Sequence, residues 1–283
     1  MKIKTKRAQR CARPNQKKWN MKYITKKFDT LTQYSRYLNN KQENKLFANK
    51  TCASKTYNKI GYSLTKSYED ADDLLKYGDK ENLKLIKAMI LKQKLNGTGF
   101  AKKQQYYNDV VGYIPNVPNF VVGVPQNMIN KRVVRYKNSK IVNIVYNPTV
   151  GERVPAEDLR KVSVDVMNFI SGLESKGYRV NLFTITSSYK KKETVSCIVR
   201  IKSSDEHTDL LKMVYPMVHP SFLRRHFLRF VEVTDEITDD GFVGTYGVPT
   251  QNKNEINEIL KSANIKYDYY LNFYDIKENG LKF

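Results

Sequence analysis

Residues 140–202 leave this chain few ways to fold. Ile141–Asn147 is an apolar run, and residues 155–176 carry Leu159, Val162, Val166, Phe169, Ile170 and Leu173 at helical spacing. Residues 178–187 then alternate with period two, with apolar residues in both sets, as in a strand covered on both sides. Pro155 suits a first helical position, Glu157 and Asp158 put negative charge at the positive end of the helix, and Gly177 supplies a left-handed stop. A short crossover helix between two strands makes them parallel neighbours in one sheet. A further strand follows from Val195, and then a helical arm. The expected fold class is therefore α/β: a sheet with flanking helices, carrying a basic, flexible N-terminal extension. The expected division is 1–60 for that extension, 61–130 for a helical segment and Pro/Gly-rich connector, and 131–283 for the α/β core.

The net charge of +22 on 283 residues is unevenly spread, and an excess of that size attracts polyanions. Residues 1–60 hold 17 Lys and Arg against Asp29 and Glu43, so +15 lies there and +7 in the remainder. Richness in Lys, Asn, Ile and Tyr also suits an AT-rich genome, which would make part of the basicity a matter of codons. Cys11, Cys52 and Cys197 are too scattered for a disulfide framework or a zinc site, which fits a reducing compartment. No apolar run approaches the ~20 residues needed to span a bilayer, and the start lacks a signal-peptide core, although its basic, acid-poor character loosely resembles a transit peptide.

Residues 1–18 have charge without hydrophobic periodicity and are expected to order only on contact with phosphates or another subunit. Lys4, Lys6, Arg7, Arg10, Arg13, Lys17 and Lys18, with Trp19 as a stacking ring, are candidate nucleic-acid contacts. Phe28, Leu31, Tyr34 and Leu38 read instead as a helix packed on the core. Ser67 with Asp70 begins a helix that Gly78 ends, and Asp79 begins another, running to Asn96-Gly97, with Leu83, Ile86 and Ile90 inward. Residues 112–130, with three prolines and two glycines, exclude a central strand or unbroken helix. They read as a rigid, partly buried connector, or as a loop lining a site with Asn116, Asn119, Gln126 and Asn127.

Four blocks, GYSLTKSYEDADDLLKYGDKEN, PNVPNFVVGVPQNMI, LESKGYRVNL and HPSFLRRHF, resemble in order and spacing an uncharacterised family of bacteriophage and prophage proteins over residues 60–230. The resemblance implies a phage or mobile-element setting, in host cytoplasm or virion, and transfers no catalytic residue. The β-α-β unit also distantly resembles the Rossmann-like, von Willebrand A-type fold, whose metal loop would fall at residues 147–151. That loop lacks the aspartate and second serine, so no metal is expected. Ligands of open α/β sheets bind beyond the carboxyl ends of strands. This singles out Asn147, Thr149, Ser187 and Ser188, residue types that also serve as caps and turns.

Lys190, Lys191 and Lys192 form a basic turn that suits phosphate contact or a solvated hairpin tip. Pro216 and Pro220 break the arm at residues 209–233, and beyond them Arg224, Arg225 and Arg229 cluster. Their guanidinium forks suit phosphates, and equally Asp235, Glu236, Asp239 and Asp240 just downstream. Those acids read as a solvated loop, or as a Mg²⁺ site of a nuclease-like enzyme. Residues 265–273 alternate as a final, aromatic edge strand.

The leading expectation is a nucleic-acid-binding protein making mainly sequence-independent phosphate contacts, with no cofactor and no membrane. A virion or assembly protein whose arm touches other phage proteins or packaged genome is the alternative. A metal-dependent enzyme acting on nucleic acid is the third, in the absence of a Gly-rich phosphate loop or nucleophile elbow.

Overall fold

The computed structural model describes residues 21–48, 50–56, 63–95, 106–131, 140–151 and 154–281. Their elements in chain order are β1 (Lys22–Phe28), α1 (Leu31–Asn40), α2 (Ala53–Thr56), α3 (Tyr68–Tyr77) and α4 (Lys80–Leu95). There follow β2 (Tyr106–Asp109), β3 (Ile114–Pro115), α5 (Val117–Val121), β4 (Met128–Lys131), β5 (Ile141–Asn147), α6 (Ala156–Ser175), β6 (Arg179–Lys190) and β7 (Glu193–Lys202). The chain continues with α7 (Leu210–Val218), a π-helix (Phe222–Phe227), α8 (Leu228–Val233), β8 (Val248–Pro249), α9 (Lys253–Ser262), β9 (Tyr269–Asn272) and α10 (Phe273–Asn279).

The protein is a mixed α/β structure. Its main sheet runs β1-β7-β6-β5-β9, with β8 paired to β6. β5 and β6 are parallel and joined through α6, as the crossover spacing requires. β6 returns through the lysine turn to the antiparallel β7, so the sheet is mixed rather than doubly wound. β9 closes the other edge, parallel to β5, and is shorter than the alternation of residues 265–273 implies, because Phe273 already begins α10.

β1 was not legible as a strand. It lies parallel to β7 over its whole length, from Lys22 against Glu193 to Phe28 against Val199. Residues 22–48 and 50–56 therefore belong to the folded body. The Phe28, Leu31, Tyr34 and Leu38 set does pack inward, with Tyr34 and Leu38 fully buried. Thr30 starts α1, its hydroxyl accepting from the Gln33 amide at 3.0 Å.

Alternation along the strands divides the core. Ile144 and Leu182 face α6 and α7, Cys197 faces α1 and the π-helix region, and Val145, Phe183 and Ile198 point the opposite way, against Ile256, Ile259 and Leu260 of α9. The capping box at Ser67 and Asp70 is present, and Asp79 accepts from the Asn82 amide at 2.9 Å. Gly78 has φ +81°, and a β-carbon there would lie 2.5 Å from the Leu211 side chain, so both backbone and space demand glycine.

Pro216 lies within α7, which ends before Pro220, as the sequence requires. The six-residue π-helix beyond carries no signature in composition or periodicity. Among the described residues no helix is long and apolar enough to cross a membrane.

Candidate functional site

A cleft of about 340 Å³ opens beyond the carboxyl ends of β5 and β6. Thr149, Val150 and Gly151 from the loop after β5, with Ser187 and Ser188 from β6, make one wall; Leu223, Arg224 and Phe227 of the π-helix face them. The residues 244–247 loop supplies Gly244, Tyr246 and Gly247.

Three of the four strand-end residues singled out by sequence meet here, and the fourth holds the loop in shape. Asn147 is buried, its Oδ1 accepting from the Thr149 amide at 3.0 Å and its Nδ2 donating to the Tyr270 hydroxyl at 3.0 Å. That is the work of a turn residue. Ser187 and Ser188 differ: both are buried, and neither hydroxyl has a hydrogen-bonding partner. A buried polar group left unpaired costs about 1–3 kcal/mol. Tyr246 was missed by sequence reasoning, although the glycines flanking it in Gly-Thr-Tyr-Gly are a turn signal. Its hydroxyl donates to the Glu232 carboxylate at 2.7 Å and accepts from the Ala53 amide at 2.8 Å. Burial, then the Glu232 charge, pushes its pKa far up, so it remains a neutral donor.

The arginine cluster divides. Arg224 lines the cleft and is 8% exposed. Arg225 is fully buried, donating to the Thr65 hydroxyl and carbonyl and to the Ser54 carbonyl. Arg229 is buried too, with Nη1 2.8 Å from Glu43 and 3.5 Å from Glu232. The last two guanidinium groups are thus engaged inside the fold. Their partners include backbone carbonyls, the Thr65 hydroxyl and the carboxylates of Glu43 and Glu232, where the sequence had pointed to the downstream acids.

Those downstream acids have their own cations. Asp235 pairs with Lys41 at 2.5 Å and Glu236 with Lys26 at 2.5 Å, while Lys191 reaches Asp239 at 3.2 Å and Asp240 at 3.0 Å. Lys191 has φ +46° at the hairpin tip, flanked by Lys190 and Lys192. Among the described residues no three His, Cys, Asp or Glu side chains gather where a metal could be held. His219 and His226 are buried in the arm, His226 Nδ1 lying 2.9 Å from the Tyr215 hydroxyl.

Residues 106–130 are exposed or half-buried throughout. β2, β4 and β3 form a separate antiparallel sheet, with Pro115 on the edge strand β3 and Pro118 in the first turn of α5, where a missing amide proton is tolerated. Asn116 caps α5, and Asn119 donates to the Gln126 carbonyl at 3.1 Å. The rings of Tyr106, Tyr107, Tyr113 and Phe120 are all exposed, Phe120 at 68%. Residues 96–140 hold seven Lys and Arg against Asp109 alone, whereas residues 141–283 hold nineteen of each sign. Almost the whole surplus charge therefore lies in residues 1–60 and 96–140.

Lys4, Lys6, Arg7, Arg10, Arg13, Lys17, Lys18 and Trp19 lie outside the described residues.

No curated protein and no solved structure matches the chain. One family profile, described as a domain of unknown function (DUF7192), matches residues 5–283, well beyond the four blocks at 60–230, and nothing in it links the chain to phages. With a match over nearly its whole length, the chain belongs to the DUF7192 family.

Proposed function

We propose that the protein binds nucleic acid, with the cations of residues 1–20 and 96–140 on the phosphates and the exposed rings of Tyr106, Tyr107, Tyr113 and Phe120 against unpaired bases. The observation that carries this reading is the partition of charge. Residues 1–20 carry +8 and residues 96–140 carry +6 of the net +22, residues 141–283 are balanced, and residues 96–140 also display four aromatic rings to solvent. Cations track a phosphate backbone without reading sequence, and base–ring stacking contributes ~1–3 kcal/mol per base. Codon bias would spread lysine throughout, and so does not account for a balanced remainder.

The reading favours single strands over duplex, since stacking needs bases free of their partners. Fluorescence anisotropy with labelled single-stranded and duplex oligonucleotides of equal length tests it. Tighter binding of the single strand at low ionic strength is expected. Absence of binding to both at low ionic strength, by protein purified free of nucleic acid, would falsify it.

A further inference from the structure

A groove of about 540 Å³ lies between the first turns of α1 and the end of α3, with Lys212 of α7 beside it. The two helices are cross-linked: the Ser35 hydroxyl donates to the Asp72 carboxylate at 2.9 Å and the Asn39 side-chain amide donates to it at 3.0 Å. The walls are therefore held in one arrangement before anything enters. Three cations, Arg36, Lys76 and Lys212, line the groove, and no carboxylate does. Lys76 is paired with Asp72 at 2.6 Å and Lys212 with Glu206 at 2.9 Å, which leaves Arg36 as the uncompensated charge. Its exposed guanidinium has no hydrogen bond or ion pair among the described residues. Such a planar fork suits the oxygens of a phosphate. From α3, Tyr77 adds a ring that is 71% exposed, more than any other ring among the described residues.

Lys80 begins α4 three residues beyond Tyr77, within about 10 Å of chain. Lys84 and Lys87 follow it at i+4 and i+7 on one stripe of the helix. All three are exposed and make no ion pair among the described residues. α4 holds five lysines against Glu81 and ends at Leu95, where the cationic segment 96–140 begins. A free guanidinium, an open ring and a row of lysines in succession are the parts that hold a single strand, phosphates on the cations and bases on the ring. Resting on the reading of the chain as a nucleic-acid binder, we infer that the folded body seats a single strand here, with one phosphate on Arg36, a base on Tyr77 and further phosphates on Lys80, Lys84 and Lys87.

Fluorescence anisotropy of the full chain with a labelled single strand at low ionic strength tests the site, with melting temperature as the control for folding. Arg36→Gln and Tyr77→Ser should each melt as wild type and bind about fivefold or more weakly. The Lys80→Gln/Lys84→Gln/Lys87→Gln variant should lose up to about two units of the log–log salt slope. Lys176→Gln/Lys253→Gln/Lys266→Gln removes the same charge from exposed, unpaired lysines in the balanced part of the chain, and should keep the wild-type slope. Should one groove variant fail to fold, the other two decide. Wild-type binding that the groove variants match, or equal losses in the two lysine variants, would overturn the site and leave the broader reading standing. No binding by the wild type would overturn both.

Discussion

Arg225 and Thr65 are 160 positions apart in the chain and joined twice, Nε donating to the Thr65 hydroxyl at 2.7 Å and Nη2 to its carbonyl at 2.9 Å. A third bond, Nη1 to the Ser54 carbonyl at 2.9 Å, makes the guanidinium a clamp between the π-helix and the segments preceding α3. Arg225→Met keeps the volume and leaves these acceptors buried without donors, at about 1–3 kcal/mol apiece. We expect a loss of roughly 3 kcal/mol in urea unfolding. Arg225→Lys should restore little, since one ammonium cannot reproduce the fork. A variant within 1 kcal/mol of wild type would remove the clamp from the account.

Truncation separates the head from the fold. Removing residues 1–20 should leave melting temperature and circular dichroism unchanged. Removing residues 1–60 deletes β1 and α1 and takes Phe28, Leu31, Tyr34, Leu38 and Phe47 from the core. At ~2–5 kcal/mol per large core side chain, that exceeds the 5–15 kcal/mol by which domains of this kind are stable. The shorter product is expected to be insoluble or unfolded; a cooperative melt at the wild-type temperature would show that β1 is dispensable.

Glu193 should set part of the acid limb of stability. Burial raises its pKa, but bonds from the Thr238 hydroxyl, the Lys22 ammonium and the amides of Asp239 and Thr238 outweigh it and hold the carboxyl down to about 2. A carboxyl whose folded pKa is depressed stabilises the fold fully above its ordinary value, near 4.5, and that contribution is lost as pH falls toward 2. Between those limits wild-type stability should drop more steeply than that of Glu193→Gln, which should be the less stable at pH 7. Parallel pH profiles for the two would contradict the assignment.

The parallel β5-α6-β6 unit and the Ser67 capping box were legible because their signals are local and periodic. β1 was not: of its seven residues only Ile24 and Phe28 are buried, and the lysines between them read as binding surface. The fate of Arg225 and Arg229 was equally hidden, since, Glu232 apart, the partners that hold them lie 160 to 191 positions away. Strand-end logic brought Thr149, Ser187 and Ser188 together, and they do meet at one cleft, because clefts in open α/β sheets follow sheet topology. It could not find the Tyr246 wall, which comes from a loop with no regular pattern. In residues 112–130 the prolines excluded a central strand, yet they are accommodated at an edge and at a helix start, positions that periodicity does not reveal.

The exposed rings allow affinity to be separated from stability. Tyr107→Ser and Tyr113→Ser remove side chains that are 43% and 52% exposed, so melting should shift by no more than a degree or two, as for surface changes within ~0.5 kcal/mol. Single-strand affinity should nevertheless fall several-fold per ring, with duplex affinity little changed. Equal losses on both substrates would mean that the rings do not stack on bases.

The salt dependence of oligonucleotide binding, compared between wild type and a variant with all eight Lys and Arg of residues 1–20 changed to Gln, tests the central claim most directly. Each phosphate neutralised adds about −0.7 to the log–log slope on single strands, so the variant should lose up to about 5.6 units of slope together with most of its affinity. Matching slopes and affinities for the two proteins would contradict the claim that this charge meets phosphates.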